Sequence, residues 1–170
     1  TRARSYFDEL AAQGDRMVTE QDKVLHSLCR PERLLELAYK FTVFDGGLKK
    51  IARYQQYFVV KSTLNRAKQR GANQRRRGGI IWHTQGSGKS LTMVFLAIKL
   101  RRDADLRDYK LVFITDRTQL DGQLTNTFRN TQNETVYNAG SVKQLKELLA
   151  KDASDLITAM VQKFQESADD

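Results

Sequence analysis

The sequence predicts an α/β fold, with a mainly parallel sheet covered by helices. Three observations carry that prediction. Short apolar runs, Ile80-Ile81-Trp82, Lys110 to Thr115 and Asp155 to Met160, alternate with segments whose apolar residues recur at helical spacing. The first run breaks into a Gly-rich loop that opens directly into a helix, as in the repeating unit of such sheets. The composition, 40% hydrophobic and 29% charged over 170 residues, suits one soluble domain, or one domain plus an arm.

In chain order, residues 1 to about 30 are mixed and polar, with weak periodicity and no assigned element. Pro31 suits a helix start, and Leu34, Leu35, Leu37, Ala38 and Phe41 follow at short helical spacing. Thr42-Val43-Phe44 reads as extended and Asp45-Gly46-Gly47 as a turn. From Leu48 to about Arg70 the spacing of Ile51, Tyr54, Phe58, Leu64 and Ala67 predicts one long helix. A basic loop, Gly71 to Gly79, precedes the apolar run Ile80-Ile81-Trp82, which reads as a buried strand. Its arginines suit either phosphate contact or a solvated surface. Leu91, Val94, Phe95 and Ile98 mark the helix after the Gly-rich loop, and polar Arg101 to Asp108 closes the crossover. A second buried strand spans Lys110 to Thr115, and Gln119, Leu120, Leu124 and Phe128 continue as a helix. Val136-Tyr137 suits a short strand, Ser141 caps a helix holding Val142, Leu145, Leu148 and Leu149, and Asp155 to Met160 is the third apolar strand.

The stretch Gly79 to Ser90, Gly-Ile-Ile-Trp-His-Thr-Gln-Gly-Ser-Gly-Lys-Ser, carries the chemistry. Strand, Gly-rich loop and Lys-Ser opening a helix is the context of a phosphate-binding loop. Glycines let backbone N–H groups approach phosphate oxygens, and the helix N-terminus adds its dipole and unpaired N–H groups. In that role Lys89 reaches the β- and γ-phosphates, and the Ser90 hydroxyl sits on Mg²⁺. The generic pattern G-x-x-x-x-G-K-[ST] expects Gly where this chain has His83.

A formal net charge of +9 and a pI near 9.8 favour a polyanionic partner, nucleic acid first. Cys29 is the sole cysteine, which rules out an internal disulfide, fits a reducing compartment and reads as a small buried hydrophobe. Two histidines and one cysteine form no metal-ligand spacing, and no apolar run approaches the ~20 residues that span a bilayer. The start at Thr1 suggests a piece of something longer.

Several of these segments resemble the motor (restriction) subunit of type I restriction–modification enzymes, whose motor is of the superfamily-two helicase kind. The resemblance rests on Trp82 to Met93, Ile51-Ala-Arg-Tyr-Gln-Gln-Tyr57, Phe113-Ile-Thr-Asp-Arg117 with Leu120 and Gln123, Leu156 to Phe164, and Pro31 to Glu36. Together they cover most of 31 to 164, and His83 accords with the family. The resemblance implies an incomplete RecA-like P-loop lobe over 48–170, preceded by a 1–47 linker or arm that follows a nuclease domain. It implies ATP bound by Thr84, Gln85, Gly86, Ser87, Gly88, Lys89 and Ser90, with Mg²⁺ on Ser90 and Lys89 in the catalytic role.

Arg53-x-x-Gln56 resembles the family's adenine-reading element, with Gln55 the alternative if the register slips by one. A Gln amide can donate to adenine N7 and accept from its N6 amino group. Thr115, Arg117, Gln123, Thr158 and Lys163 fall where the family touches the DNA backbone; Asp116 equally suits capping of the next helix. The implied partners are double-stranded DNA and the methyltransferase (modification) and specificity subunits, in the cytoplasm and away from membrane. The acidic pair that serves metal and water in hydrolysis is expected beyond Asp170, and the nuclease residues upstream of Thr1, so the fragment alone is expected to be inactive. Another superfamily-two translocase is the alternative. A small-molecule P-loop kinase would need an acceptor site and lid arginines within one short domain.

Overall fold

The computed structural model describes residues 8, 11–14, 17–116, 125–129 and 135–162. The chain divides into two compact units, Thr1–Lys40 and Phe41–Asp170. The division expected at 47/48 falls instead in a turn between two paired strands.

In the first unit, α1 (Glu20–Leu28) and α2 (Pro31–Lys40) pack together. The sequence reading assigned nothing to α1. It is started by a capping box: Asp22 N–H donates to Thr19 Oγ1 at 3.3 Å, and Thr19 N–H donates to Asp22 Oδ2 at 2.8 Å. Pro31 occupies the first position of α2, where a missing N–H costs nothing. Cys29 is exposed, contrary to its reading as a buried hydrophobe, because it forms the C-cap of α1.

The second unit opens with a hairpin of β1 (Thr42–Asp45) and β2 (Leu48–Ile51). Leu48 to Ile51 is therefore a strand and not the start of a long helix. Gly46 and Gly47 take φ of 57° and 82°, so a two-residue turn with left-handed backbone pairs Asp45 with Leu48. Helix α3 follows at Tyr54–Lys68 and α4 at Lys89–Arg102.

These two helices run side by side in the same direction and are tied at both ends. At their N-termini Gln56 Nε2 donates to Gly88 O at 3.0 Å. At their C-termini Lys68 Nζ lies 2.6 Å from Asp103 Oδ2. The Lys68 ammonium, hydrogen-bonded to the Asp103 carboxylate, lowers that carboxyl's pKa, and the same bond raises that of Lys68. Between the ends, the fully buried Phe41 ring packs 4.9 Å from Tyr57 and 5.7 Å from Phe95, which seats the hairpin on both helices.

Strands β3 (Leu111–Thr115), β4 (Val136–Asn138) and β5 (Leu156–Met160) form a parallel sheet in the order β3-β5-β4. Strand β5 is central, and its first four residues are all buried. On one face Ile157 and Ala159 pack with Leu145 of α5 (Val142–Ala150). On the other, Phe113 meets Phe128 of the helical stretch 125–129 at 4.9 Å. Ser141 caps α5 as its sequence indicated, its Oγ accepting from Gln144 N–H at 3.2 Å.

The expected strand Ile80-Ile81-Trp82 is not formed. These residues are 95%, 46% and 90% exposed and carry no ladder pairing. Their composition suits a strand, but a strand exists only through a neighbour, and no described strand lies alongside.

Candidate functional site

The Gly-rich loop joins residue 83 to α4. Gly86 and Gly88 have φ of 74° and 81°, a left-handed backbone that side chains resist. Gly88 is the N-cap of α4, and its carbonyl accepts from Thr92 N–H, Thr92 Oγ1 and Gln56 Nε2 at 3.0, 3.1 and 3.0 Å. A Cβ on Gly88 would lie 2.7 Å from Gln56 Nε2, so glycine is required there on two counts.

The loop is also braced from within. Ser87 N–H donates to Thr84 O at 3.3 Å, and Ser87 Oγ lies 3.2 Å from His83 Nδ1. His83, which stands where a generic loop has glycine, thus acts as an internal strut. The Lys89 ammonium donates to Thr84 O at 2.9 Å, curling back over its own loop.

Two clefts flank this loop. One, of about 580 Å³, is lined by Arg53, Gln55 and Val59 of the α3 start and by Trp82 to Ser87. The other, of about 420 Å³, is lined by Gly88, Ser90 and Leu91 with Asp45, Lys50, Asn126 and Thr127. The structure therefore gathers Arg53, Thr84, Gln85, Gly86 and Ser87 at one cleft and Gly88 and Ser90 at the other. The hairpin residues Asp45 and Lys50 were not singled out in the sequence. The Asp-Gly-Gly turn was the available signal, since it places the residues flanking it on adjacent strands.

Gln56 does not face either cleft. It is 2% exposed, and both ends of its amide are engaged: Oε1 accepts from Arg53 N–H at 2.8 Å and Nε2 donates to Gly88 O. Its hydrogen-bonding edge is thus turned away from a base, and the neighbouring Gln55 is the glutamine on the cleft wall.

Two expected DNA contacts are also corrected by burial. The Thr158 side chain is 0% exposed. Its hydroxyl lies 2.9 Å from Thr125 Oγ1 and accepts from Asn138 Nδ2 at 3.1 Å, so it joins β5 to β4 and to residues 125–129 instead of reaching a phosphate. Thr115 is 4% exposed, and its hydroxyl is buried without a hydrogen-bond partner at the end of β3. Arg117, Gln123 and Lys163 lie outside the described residues. No group of His, Cys, Asp and Glu that could hold a metal by itself occurs among the described residues. None of the described helices is long and apolar enough to cross a membrane.

An α/β sheet beside a glycine-rich loop that opens a helix is the architecture of many nucleotide-dependent proteins. The SWI2/SNF2 ATPase family matches residues 55–170, and the chain belongs to that family. Among curated proteins it is similar to endonuclease subunits of type I restriction enzymes. It is 38% identical to the MjaIXP subunit of Methanocaldococcus jannaschii over 89% of this chain and 36% identical to the HindI subunit of Haemophilus influenzae over 95%. It is 29% identical to the SauCOLORF180P subunit of Staphylococcus aureus over 89%. The chain spans only 15–16% of the length of these relatives. The resemblance to the motor subunit of type I restriction enzymes that the motifs carry accords with these relatives and with an ATPase family.

Proposed function

We propose that this chain is the ATP-binding part of the DNA-translocating subunit of a type I restriction enzyme, in an incomplete RecA-like lobe. In the full protein, ATP hydrolysis would drive movement along double-stranded DNA before cleavage, alongside methyltransferase and specificity subunits. One observation carries this reading: a loop with left-handed Gly86 and Gly88 delivers Lys89 and Ser90 to the start of a fourteen-residue helix, between two clefts.

The residues fit MgATP. At Gly86 nothing stands within 4 Å of where a Cβ would be, so a ligand can come close to the loop backbone there. The N–H groups of the first turn of α4 have no intrahelical acceptor, and their dipole favours an anion. When bound, MgATP would supply the phosphoanhydride bond whose hydrolysis powers movement. Lys89 would leave Thr84 O and donate to phosphate oxygens, exchanging a neutral acceptor for a charged one. Ser90, in the first turn of α4, would place its hydroxyl on the metal. Arg53 and Gln55 would hold the base and ribose in the larger cleft, with Gln55 supplying the paired donor and acceptor that adenine needs.

Gln56 would keep the base end and the phosphate end of the site in register. Arg117, Gln123 and Lys163 are proposed to contact DNA backbone. The +9 charge and the relatives' identities support a nucleic-acid partner, and cytoplasmic location accords with the single cysteine.

The test is Lys89→Ala in the intact polypeptide. ATPase turnover should fall by about 100-fold or more, because a cation is lost from the developing phosphate charge. DNA binding without nucleotide should persist. Turnover and translocation near the wild-type rate would refute the assignment.

A further inference from the structure

Besides Asn126 and Thr127, the smaller cleft has two walls of different origin. One is the start of α4, with Gly88, Ser90 and Leu91. The other is the hairpin, with Asp45 on β1 and Lys50 on β2. Asp45 is the last residue of β1, and Lys50 is paired with Val43 in the ladder, so the two side chains come from adjacent strands. Lys50 Nζ donates to Asp45 Oδ2 at 2.5 Å. The Asp45 side chain is 16% exposed and that of Lys50 41%. The Asp45 side chain is thus the more buried of the two, and both residues line the cleft.

An ammonium has three donors and no acceptor. Asp45 takes one, and the polar residues lining the same cleft as Lys50 are Gly88 and Ser90 at the start of α4 with Asn126 and Thr127. The hairpin is not a loose appendage. Phe41, at its base, is fully buried between Tyr57 and Phe95, and Ala52 N–H donates to Phe41 O at 2.9 Å. The same two helices whose N-termini form the loop's surroundings thus fix the hairpin's position.

We infer that the β1–β2 hairpin closes the phosphate end of the nucleotide site, with Lys50 a second phosphate-contacting cation and Asp45 the residue that positions it. This rests on the nucleotide reading of the Gly-rich loop. A bound polyphosphate brings several negative charges beside the start of α4, where Lys89 is otherwise the one lysine of the loop. A second ammonium, already dehydrated on one side and oriented by a carboxylate, suits that charge better than water does. Asp45 would also hold Lys50 in place when no phosphate is bound, so the ordering cost is met in advance.

The experiment is equilibrium binding of ATP, ADP and AMP to the intact polypeptide across a salt series, for wild type, Lys50→Met, Lys50→Arg, Asp45→Asn, Lys49→Met and Lys89→Ala. Thermal melting controls for folding. Lys50→Met should weaken ATP binding by about tenfold, the loss of one charged hydrogen bond. The effect should shrink for ADP, vanish for AMP, and flatten the salt dependence. Lys50→Arg should restore most of the affinity. Asp45→Asn should show a smaller loss in the same nucleotide order.

Lys49→Met, on the opposite face of the same strand, should bind as wild type. Wild-type ATP affinity in Lys50→Met, with the loss intact in Lys89→Ala, overturns the role of Lys50 and leaves the loop assignment standing. Equal weakening by Lys49→Met and Lys50→Met overturns it too, since that is general electrostatics. Undiminished binding in Lys89→Ala refutes the loop assignment itself, and the inference falls with it.

Discussion

Gln56 and Gln55 show how one position of register separates two roles. Gln56 spends its amide on Arg53 N–H and Gly88 O, so its replacement acts through the loop. Gln55 lies on the cleft wall, so under the proposed nucleotide reading its replacement would act through the base. Gln55→Ala should reduce the preference for ATP over other nucleoside triphosphates. Gln56→Ala should weaken all of them alike and lower the melting temperature, because Arg53 N–H loses its acceptor and the tie from the start of α3 to Gly88 O is cut. Competition binding with ATP, GTP and CTP checks both; a preference lost only in Gln56→Ala would reverse the assignment.

Glycine substitutions probe the same contact. Gly86→Ala meets open space and carries only the left-handed strain, about 1–2 kcal/mol. Gly88→Ala carries similar strain and also drives a methyl against Gln56, so chemical denaturation should show a larger loss. Adding Gln56→Ala to Gly88→Ala should cost less than the two separate losses combined. The pattern that finds the loop is local and was legible in the sequence. Which glutamine faces the cleft depends on the turn before α3, and no spacing rule resolves a single residue there.

The paired helices α3 and α4 are the elements on which the site is built. Phe41 seats against both, so Phe41→Ala should cost about 3–5 kcal/mol in stability and weaken nucleotide binding with it. Denaturant titration measures this, and a loss under 1 kcal/mol would mean that the site can repack. At the far ends, Lys68 and Asp103 form an exposed pair whose contribution is modest and screened by salt. The Asp103 carboxyl is held below its ordinary value, so its contribution is present above that value and fades as pH falls through the lowered one. Lys68 is raised, so its part is present below its ordinary value and fades only as pH climbs through the raised one.

Asp103→Asn should therefore lower the melting temperature slightly near neutrality and not at pH 2. An equal drop at both would attribute the effect to the helix end and not to charge. Helix α4 and strands β3 and β5 were legible because their apolar runs are long and their neighbours are internal. Of the hairpin, the first strand and the turn were legible, but Leu48 to Ile51 was read into the following helix because Ile51, Tyr54 and Phe58 fall at helical spacing. The run Ile80 to Trp82 misled in the other sense: hydrophobicity announces a strand, but only pairing makes one.

At the scale of the whole molecule, the +9 charge does not convert directly into DNA contacts. Some of the cations are internal fasteners. Arg76 lies 4.8 Å over the Tyr109 ring and donates to Ala67 O, Asp105 O and Tyr109 Oη at 3.3, 3.2 and 3.0 Å, joining the basic loop to the turn after α4. Arg101 donates to Arg107 O and Tyr109 O, and Lys110 to Leu148 O and Leu149 O at the end of α5. Such groups raise the pI and stabilise the fold, but they release few counterions when a duplex arrives.

A motor must step over any sequence, so its contacts belong on phosphates, which hold a strand without reading it. In sequence, Arg117 comes two residues after Thr115, the last residue of parallel strand β3, and ligands gather at such strand ends in α/β sheets. In the full subunit, Arg117→Ala should weaken DNA binding about equally on all sequences and reduce the slope of log affinity against log salt by about one unit. Arg76→Ala should do the opposite, lowering the melting temperature while leaving that slope unchanged. Titrations on several duplexes across a salt series distinguish the two. A changed sequence preference with an unchanged slope in Arg117→Ala would mean that the residue reads bases, and the assignment of the β3 end to backbone tracking would fail.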